Sequence, residues 1–164
     1  MTISETLLPE YDQEIATTRQ FIERIPAKDA AWKPHPKSAS LGELALHLAT
    51  MPRWVVATMT TTGLDVATEP VPAPATTVEG LLAVFDKDAA AGRAALGQAG
   101  DADFDVPWTL RSGERVFFTL PRGPVLRSLC LSHLIHHRAQ LGVYLRLQDV
   151  PLPPCYGPTA DAQP

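Results

Sequence analysis

The sequence predicts an all-α chain: an antiparallel four-helix bundle with a small β-hairpin before the last helix. Three observations lead there. Four segments repeat apolar residues at intervals of three and four, the period of a helix buried on one face. Clusters of proline and glycine separate those segments. Between the third and fourth, two short apolar runs flank Arg111-Ser-Gly-Glu114, a hairpin pattern with Gly113 in the turn.

The first helix is expected over residues 4–25, with Leu8, Tyr11, Ile15, Ile22 and Ile25 as its face and Thr18 the polar member of the series. Pro9 fits its first turn, where a missing N–H is no loss, and Pro26 ends it. A loop with three prolines follows over residues 26–39, and it places His35 between two of them as a solvated loop residue. Ser40 with Glu43 three residues on reads as a capping box. The second helix then covers residues 41–61, with Leu44, Leu48, Met51 and Val55 on one face and His47 on the same stripe. Pro52 should kink it about one turn beyond His47. Residues 63–77, with Pro70, Pro72 and Pro74, read as a stiff connector.

The third helix spans residues 78–96, with Leu81, Leu82, Phe85, Ala89 and Leu96 inward and Thr77 and Gly80 near its start. The hairpin uses residues 106–110 and 115–120. Because an isolated hairpin is only marginally stable, Trp108, Phe117 and Phe118 are expected to pack it on the bundle. The fourth helix runs from Val125 to Leu147 and is apolar nearly all round. A helix of that kind is central or lies in a subunit interface, so a homodimer is expected. The tail from Pro151 is irregular, and Tyr156 is expected to fold back onto the bundle.

That last helix carries the chemistry. Stepping by four and three from Leu126 gives Cys130, His133, His137, Gln140 and Tyr144, an inward seam whose middle is polar. Buried imidazoles need hydrogen-bond or metal partners. Residues four apart have Cβ atoms roughly 5–6 Å apart, so His133 and His137 can converge on one metal ion. His136 lies about 100° around the helix from His137 and falls outside that pair. A lone histidine such as His47 ordinarily serves the core, but beside two inward imidazoles it completes three nitrogen donors with an open position, the arrangement of catalytic metal sites. Cys130 competes, since a thiolate with three imidazoles would close the site. It stands about 10 Å along the axis from His137 at 1.5 Å per residue, which argues against it.

Composition narrows the function classes. With 164 residues and 45% hydrophobic content, the chain is expected to form a single domain over residues 1–164, the last eleven an irregular tail. Net charge is −4, with 14 basic residues scattered among 18 acidic ones, so no nucleic-acid footprint appears. The first residues lack a basic patch followed by an apolar core, and no apolar run reaches the ~20 residues of a membrane span. A cytoplasmic protein with no membrane partner is expected. Cys130 and Cys155 read as free thiols.

Leu-Gly-Glu-Leu-Ala-Leu-His-Leu-Ala at 41–49, His-Leu-Ile-His-His-Arg-Ala-Gln-Leu at 133–141 and Tyr-Gly-Pro-Thr-Ala-Asp at 156–161 together resemble the DinB/YfiT-like family of metal-dependent proteins. Leu-Leu-Pro-Glu-Tyr-Asp in the first helix and the Trp-Lys-Pro-His loop extend the likeness over nearly the whole chain. The resemblance implies a four-helix bundle, often dimeric, with a divalent metal, zinc or nickel, held by three histidines. Carried over by motif, these are His47, His133 and His137, the same triad that spacing suggests. It further implies a metal-dependent S-transferase or isomerase that uses a low-molecular-weight thiol such as bacillithiol or mycothiol.

The physics of that activity is coherent. Neutral imidazoles leave the metal its full positive charge, which would deprotonate a thiol, or a water for hydrolysis, at the open position. The substrate would be a small molecule, and no catalytic residue is assigned. Glu43 and Gln140 are candidates to accept the second N–H of a ligating imidazole. Arg138 is expected in a salt bridge or tail contact, and His136 in a hydrogen bond within the bundle. The alternatives are a metal-binding stress-response or interaction protein without catalysis, and a bundle whose histidines only hydrogen-bond within the core. Three inward histidines at chelating positions argue against the last.

Overall fold

The computed structural model describes residues 1–26, 28–70 and 77–162. Helix α1 (Ile3–Ile22) opens on a capping box in which the Thr2 hydroxyl accepts from the Glu5 N–H and the Glu5 carboxylate accepts from the Thr2 N–H. Its buried face is Leu7, Tyr11, Thr18, Phe21 and Ile22 together with Glu14, while Leu8 and Ile15 lie at its margin.

Ser40 and Glu43 form the predicted capping box of α2 (Leu41–Thr50). Pro52 has no N–H to continue the ladder, so the second helical rod breaks there and resumes as α3 (Arg53–Thr60). Pro72 and Pro74 of the expected connector lie outside the described residues. Helix α4 (Val78–Gln98) starts at Thr77, whose hydroxyl accepts from the Gly80 N–H. Gly92 on α4 lies close against Tyr11 of α1. A Cβ there would sit 2.6 Å from the Tyr11 hydroxyl, which donates to the Ala89 carbonyl at 2.9 Å.

The hairpin forms from β2 (Pro107–Ser112) and β3 (Arg115–Pro121), antiparallel with a bulge between Leu110 and Arg111. Gly113 turns it at φ +58°, a conformation that glycine adopts without strain. The expected two-stranded unit is a mixed three-stranded sheet, because β1 (Gly63–Asp65) pairs parallel to β2. Trp108 anchors it to α3, donating its Nε1–H to the Ala57 carbonyl at 3.3 Å and the Thr61 hydroxyl at 3.2 Å. Phe118 lies 6.4 Å from the Trp108 ring, whereas Phe117 is exposed and does not serve the contact assigned to it.

The fourth rod is continuous but not uniform. A short α5 (Arg122–Val125) passes into a π-helical stretch (Leu126–Ser132), and α6 (His133–Leu147) begins at the first histidine of the seam. Helices α1 and α2 each pack against α4 and α6. Phe21, Ile22, Leu41, Leu48, Phe85, Leu141 and Leu145 form one core cluster, and Leu7, Tyr11, Val55, Leu96, Leu126 and Leu131 a second. Fully burying a leucine contributes about 2 kcal/mol, so these clusters fix α2 against α6. Among the described residues, no helix is long and apolar enough to cross a membrane.

Candidate metal centre

The α2 capping box starts that helix at Leu41 and so places His47 in its second turn, facing α6 between the buried Leu44 and Leu48. On α6, His133 and His137 stand one turn apart beside the buried Leu134 and Leu141. The three imidazoles meet, with one nitrogen of each within 4.8 Å of the others. Ring centroids are 4.6 Å apart for His47 with His137, 4.6 Å for His133 with His137 and 5.3 Å for His47 with His133. All three are half-buried, and they form the one such cluster among the described residues.

Hydrogen bonding sets their tautomers. His137 Nδ1 lies 2.9 Å from Gln140 Oε1, so Nδ1–H donates and the Nε2 lone pair is left free. That lone pair faces His133 Nε2 at 2.8 Å and accepts its proton. Burial, with the neighbouring His137 and His133, pushes the His47 pKa down to about 4, and burial also lowers that of His133. His47 therefore stays neutral in mildly acidic solution, the form that ligates metal, and His133 is biased the same way.

Such a donor set fits a divalent metal. Zinc holds imidazole nitrogens at about 2.0–2.1 Å, which in a tetrahedral site separates two of them by roughly 3.3 Å. His133 and His137 need only part by a few tenths of an ångström, with the metal taking the place of the shared proton. Gln140 would then act as the outer partner that orients a ligating histidine.

Not every candidate belongs to this cluster. Glu43, proposed to orient an imidazole, instead accepts from the Ser40 N–H at 2.7 Å and lies 3.8 Å from Lys33, so capping consumes it. His136 is exposed, with its ring edge-on to His137, and among the described residues it makes no hydrogen bond within the bundle. His35 is an exposed loop residue whose Nδ1 accepts from the Lys37 N–H. Cys130 is buried 3.8 Å from the Thr58 hydroxyl, outside the cluster, and burial pushes its pKa up to about 12.

Two features lie beyond the sequence reading. Trp54 on α3 covers the histidines, its indole tilted 35° to His133 at 5.4 Å and edge-on to His47 at 5.7 Å. It sits seven residues after His47, a spacing that could have signalled a shared face. Glu14 pairs with Arg138 at 2.6 Å, both side chains almost fully buried. Arg138 also donates to the Tyr156 hydroxyl at 2.8 Å, which donates in turn to Glu14 Oε1 at 2.8 Å, and so the tail is fastened to α1 and α6. Arg138 and Tyr156 thereby make the salt bridge and the fold-back expected of them.

Two solved structures share this architecture. A DinB-like protein from Bacillus cereus superposes with a TM-score of 0.70 at 23% identity, covering 93% of this chain and 97% of that one. A DinB-like protein from Bacillus subtilis gives 0.67 at 18% identity, covering 88% and 92%. Comparison with curated proteins finds no match. The DinB superfamily profile matches residues 10–141, a span that holds all three histidines, and the chain belongs to that superfamily.

Proposed function

We propose that the protein is a divalent-metal-dependent enzyme that acts on a small molecule, with His47, His133 and His137 holding zinc or nickel. The observation that carries this reading is the convergence of three imidazoles within 4.8 Å, with the His137 Nε2 lone pair turned toward His133 and Gln140 behind the ring. Three protein donors leave a tetrahedral metal one open position. When bound, the metal supplies the positive charge that converts a low-molecular-weight thiol, or a water, into a nucleophile at that position. Gln140 holds the His137 ring in chelating orientation, and Trp54 packs over His133 and His47. Cys130 takes no nucleophilic part, because burial keeps its thiol protonated. A cytoplasmic homodimer suits this reading, with Val143 and Leu147 exposed on α6 at 60% and 57%.

A second reading, a metal-binding stress-response or interaction protein without catalysis, draws on a different surface. An apolar groove of about 520 Å³, bounded by Phe21, Ile135, Gly142, Val143 and Leu147, lies on the face of α6 opposite the histidines. A partner seated there would leave the metal a structural role.

The test is metal analysis of untagged protein, wild type against His133→Ala and His137→Ala, followed by thiol-transfer assays of the loaded protein. One metal per chain, absent from both variants, together with metal-dependent transfer supports the enzyme. Metal without turnover favours the second reading. No metal after incubation with zinc or nickel defeats both.

A further inference from the structure

Trp54 is one of the few groups near the histidines whose hydrogen-bonding capacity is unused. Its Nε1 is buried and meets no acceptor among the described residues. The adjacent Arg53 is in the same condition at Nε, although its terminal nitrogen reaches Glu69 at 3.3 Å. More than nine in ten buried polar groups find a partner, and an unmet N–H forfeits its hydration, so two orphan donors on consecutive residues call for an acceptor. By contrast, the indole of the buried Trp108 has two acceptors. The Trp54 ring packs on both His133 and His47. Every unmet group at this place is a donor, and the three imidazoles around a divalent cation would contribute no negative charge.

We propose that the ligand filling the open position of the three-histidine centre is an anion, a carboxylate or a thiolate, and that Trp54 Nε1–H is its hydrogen-bond donor. This rests on the metal-centre reading above and narrows the ligand class that reading admits. Trp54 touches the ligand, and its packing on the histidines sets where the donor stands. A thiolate bonded in this way is held against the metal, whereas a neutral amine or another donor leaves the indole unmet and is disfavoured.

The test uses the full chain loaded with cobalt(II), whose visible spectrum reports ligand exchange, titrated with acetate and separately with 2-mercaptoethanol. Trp54→Phe keeps a ring on the histidines and removes only the N–H. It is expected to bind one cobalt per chain with affinity within about twofold of wild type, and to bind acetate, 2-mercaptoethanol or both about tenfold more weakly. A loss confined to acetate identifies a carboxylate, and one confined to 2-mercaptoethanol a thiolate. Unchanged binding of both overturns the proposal while leaving the metal centre intact. An equal loss in Trp108→Phe, or loss of cobalt itself from Trp54→Phe, also overturns it by making the effect structural. Failure of wild type to bind cobalt overturns the metal centre and the proposal together.

Discussion

His133 Nε2 and His137 Nε2 face each other across 2.8 Å, one turn apart on α6, and Gln140 dictates which of them carries the proton. A metal held by these rings would have to displace that proton. Metal at 100 times its dissociation constant should stabilise the fold by about 2.7 kcal/mol. For a chain of this length that amounts to roughly 5–10 °C in Tm. Calorimetry with and without zinc, and after chelation, measures it, and the shift should vanish in His47→Ala, His133→Ala and His137→Ala.

Gln140→Leu removes the acceptor behind His137 while keeping comparable bulk. Metal affinity should fall 10–100-fold, as for other outer partners of ligating histidines, with far-ultraviolet circular dichroism unchanged. Gln140→Glu should restore or exceed wild-type affinity, since a carboxylate accepts the same proton more strongly. Equal affinity in all three proteins would show that the 2.9 Å contact has no bearing on the centre.

In metal-free protein the neutral histidines make stability depend on pH. His47 is depressed to about 4 from an ordinary 6.5, so within that window the unfolded chain binds a proton that the folded chain refuses. Stability is complete above 6.5 and declines as pH falls toward about 4, with His133 adding in the same direction. Urea midpoints in the presence of chelator should show this decline in wild type and a shallower one in His47→Gln. Parallel curves would mean that His47 is not desolvated.

The Glu14 and Arg138 pair should be costly to break from one side. Arg138→Met or Glu14→Leu leaves an uncompensated buried group, at about 3–5 kcal/mol, whereas the double variant Glu14→Leu with Arg138→Met should lose much less. Tyr156→Phe removes one hydroxyl and should cost about 1 kcal/mol. Denaturant unfolding of the four variants gives the coupling directly.

Gly92→Ala should destabilise by about 1–3 kcal/mol, because its Cβ would stand 2.6 Å from the Tyr11 hydroxyl between α1 and α4. In Tyr11→Phe the same substitution should cost less, as the colliding oxygen is gone. Thermal unfolding of the pair of backgrounds checks it.

Much of this molecule can be read from the chain. The helices follow from apolar period, the break at Pro52 from a missing N–H, and the hairpin turn from a glycine, Gly113, set between two apolar runs, where φ is +58°. The histidine cluster was legible because a spacing of four fixes two rings on one face and a capping box fixes the phase of the third. What escaped depends on partners distant in sequence. Strand β1 is three residues long and has no alternation to show, and its pairing with β2 is parallel and non-local. Glu14 looks like any helical carboxylate until Arg138 meets it across 124 residues. Glu43 was assigned two possible duties from one position, and the nearer one, capping, takes its carboxylate. The π-helical stretch escaped because an apolar stripe drawn at intervals of three and four does not distinguish one turn type from another.

That stretch, Leu126–Ser132, ends where the histidines begin. A π turn holds one more residue than an α turn, and one residue amounts to about 100° of rotation. The rod therefore carries two settings of angular phase, one suited to the hairpin and Tyr11 end, the other to α2 and its imidazole. Deleting a single residue such as Ser128 would restore an uninterrupted α-helix and bring both ends into one phase. One of them would then turn its buried face to solvent, so the chain tolerates a length change there far less readily than a substitution.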